Sequence, residues 1–154
     1  MIFEGQLLSI HIAAAGGEDM KELQEASLIE GVGIEGDRYA TGKGYYSHMP
    51  DVREVTLIDE ETLIALQRDH DIELLPSEHR RNLTTRNVPL NHLVGRRFKI
   101  GDTVLEGGRL NVPCKYLQTL LNKKVFVPLL NRSGLNCRII KGGKIVSGDV
   151  ITQD

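Results

Sequence analysis

The sequence predicts a mainly β domain with a few short helices, folded as a closed or partly open barrel. Three observations predict it. Sixteen Gly and five Pro cut the chain into short segments. Those segments carry alternating or β-branched apolar residues rather than long runs of 3.6-residue periodicity. Finally, 154 residues, 40% hydrophobic and 26% charged, make one domain over 1–154, with a core that buries roughly 68–70% of the unfolded surface. No internal repeat or linker interrupts it.

Taken in order, Leu8, Ile10 and Ile12 alternate with Ser9 and His11 as a half-buried strand. Leu23 to Ile29 suits a strand or a helix. Residues 31–51 are Gly, Tyr and polar residues and read mostly as loop. Within them, Gly31-Val32-Gly33-Ile34-Glu35-Gly36 matches a dinucleotide-binding pattern. It is followed by turn residues rather than a helix, and Glu35 would repel a phosphate, so it reads as a tight glycine-dependent turn. Val52–Ile58 is a strand, after which Asp59 caps a short helix with Glu60 and Glu61 in its first turn. Asn82–Thr85 is β-prone. Phe98–Ile100, Gly101-Asp102 and Thr103–Leu105 read as strand, turn and strand. Gly142-Gly143 between Ile139-Ile140-Lys141 and Lys144-Ile145-Val146 predicts a two-residue hairpin, and Gly148-Asp149 a turn into Val150-Ile151.

Composition narrows the function classes. With three Phe, four Tyr and no Trp, few rings are available to stack nucleic-acid bases. Two cysteines 23 positions apart form neither a Cys-x-x-Cys pair nor a four-ligand zinc set, and the five His lack metal-binding spacing, so no zinc is expected. No run approaches about 18 apolar residues, so no membrane span is expected. Leu7–Ala15 is weakly signal-like, but Glu4 stands where a positive charge belongs, and the chain reads as cytoplasmic with free thiols. The formal net charge is −2, yet residues 1–77 hold 16 acidic against 5 basic residues and 78–154 hold 5 against 14. Either the halves complement one another, or the basic half receives a small anionic ligand; a nucleic-acid backbone fits less well.

Cys114 precedes Leu117, Leu120 and Leu121, an apolar helical stripe, and Pro113 is tolerated only near such a helix's start. The thiol is therefore expected in the first turn, where free N–H groups and Lys115 favour a thiolate, a nucleophile or soft-metal ligand. An inert cysteine is the other reading. Cys137 shares a strand face with Leu135 and Ile139 and reads as a small core residue. Arg80, Arg81 and Asn82, followed by Thr84 and Thr85, offer guanidinium forks and an amide to an anion, or else form a solvated charged face.

Several segments together resemble one family. Gly33-Ile34-Glu35-Gly36-Asp37-Arg38-Tyr39-Ala40, Glu54–Asp59, Arg80–Thr85, Leu93–Asp102 and Val112-Pro113-Cys114-Lys115-Tyr116-Leu117 come in the order seen in MOSC domains, named for the C-terminal domain of molybdenum-cofactor sulfurases. The chain is similar to small stand-alone members. The resemblance implies a pyruvate-kinase-barrel-like β-barrel with one functional cysteine, carried over to Cys114. That cysteine either carries sulfane sulfur as a persulfide or ligates molybdenum of a bound molybdopterin cofactor. It also implies that Arg80 and Asn82 help hold the cofactor; Asp37 and Arg38 match a family motif that either touches ligand or builds the turn, while Arg81, Thr84 and Lys115 are candidate contacts by their own chemistry. A desulfurase donor or a molybdoenzyme acceptor is the implied partner. The aminotransferase-like half of the sulfurases and the extra domain and reductase modules of larger relatives are absent, so pyridoxal phosphate is not expected. From another class, a non-catalytic barrel module binding a pterin or other phosphorylated ligand is the alternative. A cysteine hydrolase would need a base that only the fold could supply, from His48, His79 or His92.

Overall fold

Strand β1 (Glu4–Ile12) is the seam at which the sheet closes on itself, in a computed structural model that describes all residues, Met1–Asp154. Its first residues pair antiparallel with β11 (Val150–Gln153), and its other edge pairs with β6 (Leu83–Arg86). From β6 the ladder runs to β5 (Val55–Asp59), β9 (Leu135–Lys141), β8 (Thr103–Leu110), β7 (Arg97–Ile100) and back to β11. Seven strands therefore close into a barrel, as the turn-rich sequence predicts. Only β5–β6 is parallel. A parallel pair needs a crossover, and the helix α2 (Glu60–His70) supplies it, capped by Asp59, which accepts from the Thr62 amide at 3.1 Å.

The alternation expected of β1 is broken by a bulge. Leu7 pairs with Thr85 and Ser9 with Thr84, leaving Leu8 as an extra residue. The phase slips there, so Leu7 and Ile10, not Leu8 and Ile10, enter the core, both without exposed surface. Nineteen buried residues form that core, among them Leu57, Leu83, Phe98, Leu105, Leu135 and Cys137. A second cluster of seven lies outside the barrel wall. In it Ile58, from the outer face of β5, meets Leu63 and Leu66 of α2 and Leu117 of α3 (Lys115–Leu121). This second cluster seats α3 on the wall.

Leu23–Ile29 resolves into two strands, β2 (Lys21–Leu23) on β1 and β3 (Glu25–Ile29) in a small sheet with β4 (Gly33–Ile34) and β10 (Gly143–Val146). This corrects the expected hairpin. The chain passes from β9 through Gly142 into β10, but β10 pairs with β3 and not with β9. The glycines serve a corner between the sheets: a Cβ at Gly142 would lie 2.5 Å from the Leu28 carbonyl oxygen, and Gly143 has φ 147°. The expected single turn over residues 31–36 is instead two turns flanking the short β4, at 30–32 and 35–36, and Asp37 then caps a third, one-turn helix, α1 (Arg38–Thr41). No helix is long and apolar enough to cross a membrane. Replacing Gly142 by Ala forces backbone apart and is expected to cost about 1–3 kcal/mol in urea unfolding; an unchanged midpoint would restore the hairpin assignment.

Candidate functional site

Three stretches distant in sequence meet over the outer face of the barrel wall, where Thr56 of β5 and Asn136 of β9 also line the site: the segment before β6, the segment from β8 into α3, and the long connection before β5. They enclose a pocket of about 260 Å³. Leu117, buried against the second cluster, fixes α3 and with it the residue before the helix, Cys114. The sequence places the thiol in the first turn; the structure places it one residue earlier, at the capping position, with extended φ −130° and ψ 153° and no side-chain capping bond. Cys114 is half-buried and lines the pocket, whereas Lys115 is exposed and does not. Leu120 is also exposed, so the apolar stripe narrows to Leu117 and Leu121.

Arg80 and Arg81 both line the pocket. Arg80 has a left-handed backbone, φ 66°, and its side chain donates to the Glu18 carbonyl. Arg81 is buried, with Nε donating to the Ser133 carbonyl at 3.0 Å and Nη1 to the His79 carbonyl at 3.2 Å. Its Nη2 donates to Ser133 Oγ at 2.8 Å and Asn111 Oδ1 at 2.6 Å. Every acceptor is neutral. Neither arginine has a carboxylate partner within 4.0 Å, unlike Arg38 with Asp37 and Arg53 and Arg109 with Asp51. Burial brings the Arg81 guanidinium down to about 10, against the opposing influence of nearby Cys114.

The remaining candidates stand behind the pocket wall. Asn82 Oδ1 accepts from the Thr56 amide and hydroxyl, both at 3.1 Å, and its Nδ2 donates to the His11 carbonyl at 3.1 Å, stitching β5, β6 and β1 together. Thr84 contacts His79 Nε2 at 2.8 Å. His79 Nδ1 accepts from the Arg81 amide at 2.9 Å, so the proton of the neutral ring lies on Nε2 and is donated to Thr84. Buried Asp37 accepts from the Ala13 and Tyr39 amides and from Arg38 at 3.0 Å; Arg38 in turn donates to the Arg80 carbonyl at 3.0 Å. Asp37 thus builds the turn, and Arg38 both supports Arg80 and faces the pocket.

What sequence reasoning missed is the aromatic wall. All four tyrosines of the chain line the pocket. Tyr45 stacks on Tyr116 with centroids 3.9 Å apart and planes at 8°, Tyr46 meets Tyr45 edge-on at 4.8 Å, and Tyr39 lies beneath Arg38 and Arg53. Burial first, and then the Cys114 thiol, push the Tyr46 hydroxyl above its usual range. Asp51 grips Arg109 Nε at 2.8 and 3.0 Å, and this contact holds its carboxyl at about 2. No histidine lines the pocket, so the hydrolase reading lacks its base. Cys137 is wholly buried in the barrel, and burial pushes its thiol far above the usual value.

Burial, and for His79 also the facing Arg81, lowers the His79 imidazole well below its usual range, and burial lowers His11 against the opposing pull of Glu22. Below about pH 6.5 the unfolded chain takes up protons that these two rings refuse in the fold. Stability is therefore expected to fall between pH 7 and 5, with a slope of up to about 1.4 kcal/mol per pH unit for each ring. Urea-unfolding midpoints across that interval check it; a flat profile would contradict the buried neutral imidazoles.

A family model described as "MOSC domain" matches residues 44–152. The Gly33–Ala40 motif falls outside that match. No curated protein matches the sequence significantly. Among solved structures, the chain is similar to the YuaD protein of Bacillus subtilis, with 18% identity, a TM-score of 0.83, and 99% of this chain and 96% of that chain covered. It is similar to YiiM of Geobacillus stearothermophilus, with 12% identity, a TM-score of 0.70, and coverage of 97% and 75%. YiiM of Escherichia coli gives 18% identity, a TM-score of 0.67, and coverage of 100% and 70%. At these identities the likeness is one of fold.

Proposed function

The chain belongs to the MOSC domain family, and from that premise we propose that its pocket holds a planar, phosphate-bearing cofactor of the molybdopterin type, with Cys114 as the sulfur ligand to molybdenum. One observation carries the reading. A half-buried thiol shares a tyrosine-walled pocket with two guanidiniums, Arg80 and Arg81, that have no carboxylate partner. A buried cation with only neutral acceptors is stabilised by an incoming anion. The tyrosine faces suit a flat heterocycle, and a thiolate is a soft ligand that suits molybdenum better than carboxylate or water does.

The chain's own residues have separable tasks in this reading. Arg80 binds the phosphate from the pocket side, and Arg81 sets a fixed positive potential beside Cys114. Tyr46 stands beside the thiol, and Tyr39, Tyr45 and Tyr116 exclude water and orient the ring system. Asn82, Thr84 and Asp37 keep the strands and the Arg80 turn in place. When bound, the cofactor supplies a redox-active metal for molybdenum-dependent reduction, while the protein supplies orientation and charge.

The sulfur-carrier reading is favoured by one separate feature: Cys114 makes no capping hydrogen bond and is free to react. There the Cys114 thiolate attacks the outer sulfur of a donor persulfide. The donor S–S bond breaks, the donor leaves as a thiolate, and Cys114 holds the sulfur for an acceptor, with no net oxidation.

Protein expressed in a cofactor-producing host tests both. Wild type is expected to carry molybdenum, and Cys114→Ser to lose most of it. Arg80→Gly relieves a left-handed backbone while removing a cation, so it is expected to stay within about 1 kcal/mol of wild-type stability yet lose at least roughly tenfold in cofactor affinity. Wild-type molybdenum content in Cys114→Ser would overturn ligation. Intact mass of protein purified without reductant reads the other case: one added sulfur atom on the Cys114 peptide marks the carrier, and bare thiol after incubation with a persulfide donor excludes it.

A further inference from the structure

The five guanidiniums lining the pocket are not equivalent. Arg38 is committed to Asp37, whereas Arg80 and Arg81 reach only neutral acceptors. Arg53 and Arg109 share a single carboxylate, Asp51, at 3.3 Å from Arg53 Nη2 and at 2.8 and 3.0 Å from Arg109 Nε. Asp51 is itself a pocket-lining residue, and the Val52 amide donates to its Oδ1 at 2.7 Å, which fixes the carboxylate in place. It occupies, from within the chain, the position on Arg109 and Arg53 that a second anionic group of a ligand would need. A tethered carboxylate competes there at the high effective concentration of an intramolecular group.

We propose that Asp51 is a specificity-determining residue of this pocket: by occupying the donors of Arg53 and Arg109 with its own carboxylate it limits the ligand to one anionic group, bound at Arg80 and Arg81, and rejects polyphosphorylated ligands. This rests on the reading of the pocket as an anion site, and deepens it. Without Asp51, the Arg53–Arg109 pair becomes a second anion subsite, since a guanidinium fork pairs with phosphate as readily as with carboxylate.

The test uses inorganic phosphate and inorganic tripolyphosphate as probes, with affinities measured by calorimetry on the intact chain. Wild type sets a baseline ratio between the two. Asp51→Asn is expected to raise the tripolyphosphate-to-phosphate ratio on the order of tenfold. Arg109→Gln added to Asp51→Asn is expected to return the ratio to the wild-type value. Asp51→Glu, still anionic, is expected to keep the wild-type ratio, which separates charge from any disturbance of the loop. An equal rise for both probes in Asp51→Asn, the signature of a merely less negative pocket, overturns the proposal, as does an unchanged ratio. Binding of neither probe by either protein overturns the anion-site reading itself.

Discussion

A buried guanidinium without a counter-ion organises this side of the barrel. Arg81 spends its donors on the His79 carbonyl, the Ser133 carbonyl and hydroxyl, and Asn111 Oδ1. Those acceptors belong to the segment before β6, the approach to β9 and the passage from β8 to α3. Asn111 carries the chain on, donating to Asn136, which donates to the Val52 carbonyl beside Asp51. One side chain thus ties together the three stretches that carry Arg80, Cys114 and Asp51. Moving a charge of this kind out of water is expensive unless its protons are satisfied and a field of opposite sign is near. The hydrogen bonds meet the first condition and leave the second to a ligand.

The charge asymmetry of the chain divides into two parts in the fold. Some of it cancels between the halves, in pairs such as Arg86 with Glu60 at 2.8 Å and Lys144 with Glu25 at 3.0 Å, exposed contacts that contribute little stability each. The rest does not cancel. At the pocket, Arg38 and Arg53 from the acidic half join Arg80, Arg81 and Arg109 from the basic half, with only Asp37 and Asp51 paired against them. Complementary pairing of the halves and a gathering of unpaired cations at one pocket therefore occur in different places of the same fold.

What was legible in the sequence was local. The barrel class, the Asp59 cap, the β7–β8 turn and the core position of Cys137 follow from spacing and turn chemistry over a few residues. The hairpin at Gly142-Gly143 failed because a tight turn and a corner demand the same residue; only the partner strand, β3, distinguishes them. The bulge at Leu8 failed because alternation has no memory of an inserted residue. At the site, Cys114, Arg80 and Arg81 were visible as reactive types in a suggestive local context. Tyr39, Tyr45, Tyr46, Tyr116, Arg109 and Asp51 were not, since their significance lies in convergence from separate segments, and counting four tyrosines gives no hint that all four share one pocket. An amide and a hydroxyl such as Asn82 and Thr84 look the same in a sequence whether they face a ligand or, as here, bond to neighbouring strands and His79.

The backbone at Arg80 shows how the fold turns two adjacent residues toward one purpose. Along an extended strand, neighbours point to opposite faces, so a regular β6 extended backward would send Arg80 and Arg81 to different sides of the wall. Both line the same pocket, and the break that reconciles this is the left-handed conformation of Arg80. For a residue with a Cβ that conformation costs on the order of 1–3 kcal/mol, and it survives because its surroundings over-determine it. Arg38 holds the Arg80 carbonyl, and His79 Nδ1 accepts the next amide, from Arg81. Asp37 fixes Arg38 in turn, which gives that buried carboxylate a part in shaping the pocket without touching it. A glycine would hold the same turn without strain, so the presence of arginine points to a need for its charge at that spot.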